Sequence, residues 1–211
     1  MSPVPSHNDE EDSETHAAPP PTENTSDKIK RIYRDFKGKN CGDLGINNPA
    51  IRARSVANMV NATPDFWKSK PSMLDIGAGD GREAMTMLKA GLVRKVRLIE
   101  LPDETIKLNC EKSIKTNMKE LTEEQKKMVE VVWANVCDPN VTFHGFEWVY
   151  CSAPVNPDFW SVVLLKTLLS KQTEMLTAPI AYLDTIGVKA KRLGSFFETK
   201  LAGGGGTKRQ H

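Results

Sequence analysis

A short apolar run that breaks into three closely spaced glycines constrains this chain more than any other feature. It reads Met73-Leu74-Asp75-Ile76-Gly77-Ala78-Gly79-Asp80-Gly81. Met73, Leu74 and Ile76 have the pattern of a strand, and residues 83–89 that of a helix. Glycines between a strand and a helix let a ligand approach the backbone closely, and the helix presents its N-terminus there. The same alternation continues downstream. Strands are expected at 95–100, 129–134, 147–151 and 180–186, with helices at 102–119 and 158–175. Strands alternating with helices imply parallel pairing and right-handed crossovers. The expected fold class is therefore α/β, with a doubly wound, mostly parallel sheet.

Charge and apolar content divide the chain into three parts. Residues 1–27 carry seven acids and no Lys or Arg, so the net charge of +2 splits into −7 there and +9 on the remainder. That segment is rich in Pro, Ser and Thr and lacks the apolar side chains needed to offset its ordering entropy, so it reads as a disordered acidic tail. Residues 28–202 form the expected domain, and the glycines and polar residues of 203–211 a flexible end. The basic run 28–39, with Tyr33 and Phe36 interleaved, fits either a nucleic-acid contact or a solvated helix face. Asn48-Pro49 starts a helix in which Ile51, Val56, Met59 and Val60 share one face.

Other classes are excluded. The most apolar stretch, 162–169, is interrupted by Lys166, so no membrane-spanning segment is expected. The acidic N-terminus lacks the apolar core of a secretory signal. The four cysteines form no C-x-x-C pair and the four histidines are scattered, so neither a metal site nor a disulfide framework is expected. Reduced thiols fit an intracellular protein, cytoplasmic or nuclear.

The glycine spacing narrows the ligand. A dinucleotide site uses G-x-G-x-x-G, whereas here the third glycine comes one residue early, at 77, 79 and 81. Asp75 at the strand end and Asp80 within the turn would repel a pyrophosphate, but they suit a ligand that carries an ammonium and a sulfonium. In these residues the sequence resembles motif I of the class I, Rossmann-like S-adenosylmethionine-dependent methyltransferases. The resemblance spans about residues 51–186. It implies S-adenosyl-L-methionine as cofactor, held by Asp75, Gly77, Ala78, Gly79 and Gly81. It further implies that Glu100, ending the second strand, binds the ribose hydroxyls, since a carboxylate accepts hydrogen bonds from both. Asp138, after the third strand, would lie near the adenine amino group, although Asp-Pro is also a common turn pair.

Family members place the groups that position the substrate at the carboxyl end of the fourth strand. Here that end reads Cys151-Ser152-Ala153-Pro154-Val155. Ser152 and Pro154 match two positions of the [Asp/Asn/Ser]-Pro-Pro-aromatic element of amino-group methyltransferases and are the candidate catalytic residues. Ala153 and Val155 depart from it, and the absent aromatic removes a surface on which a planar base would stack. Cys41-Gly42-Asp43 resembles the Gly-acid element of the non-SET histone-lysine methyltransferases, with a plain turn as the favoured reading of Asp43. Trp148, Tyr150 and Trp160 read as packing residues, and Cys151 as a buried thiol. The expected activity is methyl transfer to a macromolecule, protein first and RNA second. The alternative is a non-catalytic, cofactor-binding partner subunit.

The typical family sheet has seven strands, the last two a hairpin beside the fifth. After Ile186 only 25 residues remain, so the sheet is expected to lack that hairpin. The exposed edge of the fifth strand then calls for a cover, either residues 196–201 or a partner chain.

Overall fold

The computed structural model describes residues 23–38, 49–151 and 157–177. Five strands form one sheet: β1 (Ser72–Ile76), β2 (Lys95–Glu100), β3 (Val129–Trp133), β4 (Trp148–Cys151) and β5 (Met175–Thr177). Their order is β3-β2-β1-β4-β5, and every pairing is parallel. The central strand β1 is buried along its whole length, as a strand covered on both faces must be.

Side-chain alternation along the strands feeds two cores. Met73, Val96, Leu98, Trp148 and Tyr150 face one layer, where they pack with α1 (Thr25–Asp35), α2 (Pro49–Ala62), α3 (Arg82–Lys89) and α4 (Glu104–Met118). Leu74, Ile76, Ile99, Val149 and Cys151 face the other, with Phe143, Phe146 and α6 (Pro157–Ser170), which contributes Trp160 and Val163. The short α5 (Glu123–Lys126) opens with a reciprocal cap between Thr122 and Gln125. Trp148, Tyr150 and Trp160 are each at most 1% exposed, as packing residues should be.

Three differences from the sequence reading have physical causes. The basic run after residue 28 is a helix, α1, because Ile29, Ile32, Tyr33 and Phe36 recur at helical spacing and are all buried. That helix begins before the expected domain boundary. Asn24 caps it by accepting from the Asp27 N–H at 2.9 Å, so residues 25–27, assigned to the acidic tail by composition, form its first turn. The long helix after β4 ends at Ser170 rather than at 175. Lys171 adopts φ 55°, and the Ser170 hydroxyl turns back to the Thr167 carbonyl at 2.8 Å. The main-chain N–H groups of Glu174 and Met175 then bond to Glu147, which starts β5 earlier than expected. The strand expected at 180–186, and the covering segment at 196–201, lie outside the described residues.

Candidate functional site

The strand order reverses between β1 and β4, where successive crossovers lead away in opposite directions and leave a crevice beyond the carboxyl ends. The glycine turn lies at that end of β1. Gly77 and Ala78 both donate main-chain N–H groups to the Ile99 carbonyl, at 2.9 and 3.2 Å, so the turn is stitched to β2. Gly81 closes it onto the Ala78 carbonyl at 2.9 Å.

Gly81 has a requirement of its own. Its φ is +68°, and a Cβ there would sit 2.7 Å from Leu98 Cδ1 and 3.1 Å from Met85 Cε. The third glycine is therefore demanded by the packing of α3 against β2, whether or not a ligand binds.

Glu100 is brought directly to the turn. One carboxylate oxygen accepts from the Gly79 N–H at 2.8 Å and the other from the Leu101 N–H at 2.9 Å. Asp75 lies in register between Leu98 and Tyr150, is 2% exposed, and its Oδ2 has no hydrogen-bond partner among the described residues. Burial pushes its carboxyl well above the usual carboxylate range; Glu83 adds to this and Arg52 opposes it.

The side chains around the turn include several that sequence reasoning missed. Arg52 of α2 forms an ion pair with Glu83 of α3, and both are largely buried. Burial alone would lower the Arg52 pKa, but the Glu83 charge holds it above the ordinary arginine value. Arg82 pairs with the Asp80 carboxylate at 3.2 Å and lies 5.4 Å from the centre of the Tyr33 ring. Its guanidinium also donates to the Gly38 carbonyl. Asp80 is thus directed at Arg82 rather than left over for a ligand, and burial followed by Glu83 raises its pKa. Arg82 and Glu83 follow the last glycine directly, a position that could have flagged them. Nothing in the sequence marked Arg52, one basic residue on a largely apolar helix face.

Four carboxyl groups therefore surround the turn (Asp75, Asp80, Glu83 and Glu100) against two guanidiniums, Arg52 and Arg82. A cation suits that balance better than an anion does. The Asp138 carboxylate is exposed and accepts from the Asn140 N–H at 2.9 Å and its Nδ2 at 3.1 Å, so it serves its own turn. Ser152 and Pro154 follow the last residue of β4, and together with residues 41–43 lie outside the described residues. A surface cleft lined by Arg94, Glu147, Lys171 and Glu174 opens at the amino end of the strands, away from the turn. Among the described residues there is no group of three or more His, Cys, Asp or Glu side chains able to hold a metal ion, and no helix is long and apolar enough to cross a membrane.

No family profile matches the sequence, and no curated protein does either. Solved structures do match the fold. The Thermoplasma acidophilum protein 1320 is similar over 78% of this chain and 78% of its own, with a TM-score of 0.50 and 12% identity. The methyltransferase domain of bacterial CtHen1-C aligns over 61% of this chain and 65% of its own, with a TM-score of 0.49 and 10% identity. The S-adenosylmethionine-dependent methyltransferase SibL aligns over 69% of this chain and 46% of its own, with a TM-score of 0.43 and 17% identity. The chain thus spans less than two thirds of the length of these last two structures. Its five-stranded, all-parallel sheet has a doubly wound, Rossmann-like fold, similar to that of the Thermoplasma acidophilum protein.

Proposed function

We propose that the chain binds S-adenosyl-L-methionine at the glycine turn and transfers its methyl group to a macromolecular substrate. The observation that carries this reading is the Glu100 carboxylate held against Gly79 at the carboxyl ends of β1 and β2. It joins a backbone a ligand can approach to an acid able to accept from two ribose hydroxyls. The chemistry of the donor set fits the cofactor. The Oδ2 of Asp75 is buried and unpartnered, and an ammonium or sulfonium beside it would offset the burial that raises its pKa.

When bound, the cofactor supplies a methyl group already activated for displacement. This chain's residues then have to orient it and exclude water. Gly77, Ala78 and Gly79 offer the close backbone approach, Glu100 takes the ribose, and Asp75 faces the positive end. Ser152 and Pro154, directly beyond β4, are assigned to positioning the substrate nucleophile, because β4 borders β1 at the strand-order reversal. Asp138, exposed after β3, is assigned to the adenine amino group, since a carboxylate that accepts from Asn140 has lone pairs to spare. Protein is the favoured substrate, with RNA second.

The test is incubation of the purified chain and cell extract with methyl-labelled S-adenosylmethionine, followed by parallel protease and nuclease digestion. Protease-sensitive label supports the favoured substrate, and nuclease-sensitive label selects RNA. Cofactor binding by calorimetry with no label transferred to either would favour the non-catalytic subunit.

A further inference from the structure

Asn117 stands between the N-terminal helix and the glycine turn. Its side chain is fully buried. Its Oδ1 accepts from the Gly38 N–H at 2.6 Å, and its Nδ2 donates to the Asp80 carbonyl at 2.9 Å. Arg82 spans the same gap, from the Asp80 carboxylate to the Gly38 carbonyl. The contact on the α1 side leaves no spare room. A Cβ on residue 38 would lie 2.6 Å from Asn117 Nδ2 and 2.7 Å from the Ser113 carbonyl. Gly38 follows α1 closely, and α1 is seated by Ile29, Ile32, Tyr33 and Phe36.

A turn built on three glycines has wide backbone freedom and needs to be held from outside if it is to meet a ligand in one shape. We propose that Asn117 and Gly38 are positioning residues for the glycine turn: they tie the Asp80 main chain to the seat of α1, so that docking of α1 and binding of the cofactor favour one another. The proposal rests on the cofactor reading above. The linkage is reciprocal, because two events that favour one conformation must favour each other. Neither residue needs to touch the cofactor. Asn117 holds the turn through the Asp80 carbonyl, while Glu100 holds it through the Gly79 N–H.

The experiment uses the full chain with Gly38→Ala, Asn117→Ala and Asn117→Asp. Asn117→Asp keeps the volume and the acceptor toward Gly38 but loses the donor toward Asp80, so it serves where the alanine variant does not fold. Two quantities are read: amide hydrogen exchange at residues 79–82 without ligand, and S-adenosylmethionine affinity by calorimetry. Each variant is expected to speed exchange at the turn and to weaken binding by about tenfold, the scale of one buried hydrogen bond. Exchange in β1 should stay at the wild-type rate. The Gly38→Ala/Asn117→Ala double variant should cost less than the two single changes added together, since both act on one link, although the contact with the Ser113 carbonyl remains. Wild-type exchange at the turn in folded variants would overturn the proposal, as would an equal rise throughout β1. Faster exchange confined to the turn, in a chain whose wild type binds no S-adenosylmethionine, would support the hold on the turn and overturn the cofactor reading instead.

Discussion

The carboxylate of Glu100 accepts the main-chain N–H of Gly79 at 2.8 Å, across 21 residues of sequence. The bond is possible because β1 and β2 are in parallel register, with Ile76 opposite Ile99, so both strands end at the same level. The turn leaving β1 and the acid ending β2 then meet.

Gly81→Ala should destabilise the fold by about 1–3 kcal/mol, from a strained positive φ together with overpacking. The new methyl group would meet Leu98 Cδ1. Trimming the opposing side chain in the double variant Gly81→Ala/Leu98→Ala should therefore cost less than the two single changes added together. Urea denaturation of the four proteins measures this, and strict additivity would count against the packing role.

The Arg52–Glu83 pair gives a sharper contrast. Arg52→Met leaves the Glu83 carboxylate buried without its partner and should cost about 3–5 kcal/mol. Replacing both, in Arg52→Met/Glu83→Leu, should restore most of that loss, because the penalty lies in the uncompensated charge. Thermal unfolding of both variants checks the ordering. A double variant less stable than the single one would contradict it.

Asp75 predicts a pH dependence of stability. Its pKa is raised in the folded chain above the ordinary value of 3.8, first by burial and then by Glu83. The folded state therefore binds a proton that the unfolded state releases earlier. Its contribution is fully present below pH 3.8 and declines as pH rises toward the folded value. Asp75→Asn removes this decline. Urea midpoints at pH 4 to 8 should show the variant gaining on the wild type as pH rises, while its S-adenosylmethionine affinity falls. A variant that loses ground to the wild type as pH rises would have the wrong sign.

Truncation tests the edge of the domain. A chain starting at Glu23 keeps the Asn24 cap and should bind cofactor like the full chain. One starting at Lys28 loses the cap and the first turn of α1, and the cap alone is worth about 0.5–2 kcal/mol. Circular dichroism melting of the two should place the second clearly lower. Equal midpoints would return the domain boundary to residue 28.

The sheet was legible because its strands are short apolar runs bounded by glycine, proline or charge. The ends of β1 and β2 followed from that pattern together with one motif, whereas the direct bond between Gly79 and Glu100 emerged only from the register of the two strands. The start of β5 did not, because Met175 continues the apolar spacing of α6 and only the left-handed Lys171 marks the break. The first turn of α1 was hidden by composition, since the acids that make a tail look disordered also suit a helix N-terminus. Least legible were Arg52, Asn117 and Gly38. Their roles depend on which helices share a layer, and no local spacing encodes that.

Calorimetric titration of S-adenosylmethionine into the wild-type chain and Glu100→Ala tests the central claim most directly. The account predicts one site per chain in the wild type. Losing the charged hydrogen-bonding partner should cost about 1.5–3 kcal/mol, roughly ten- to a hundredfold in affinity, in a variant that stays folded. No binding by the folded wild type, or equal affinity in the two proteins, would contradict it.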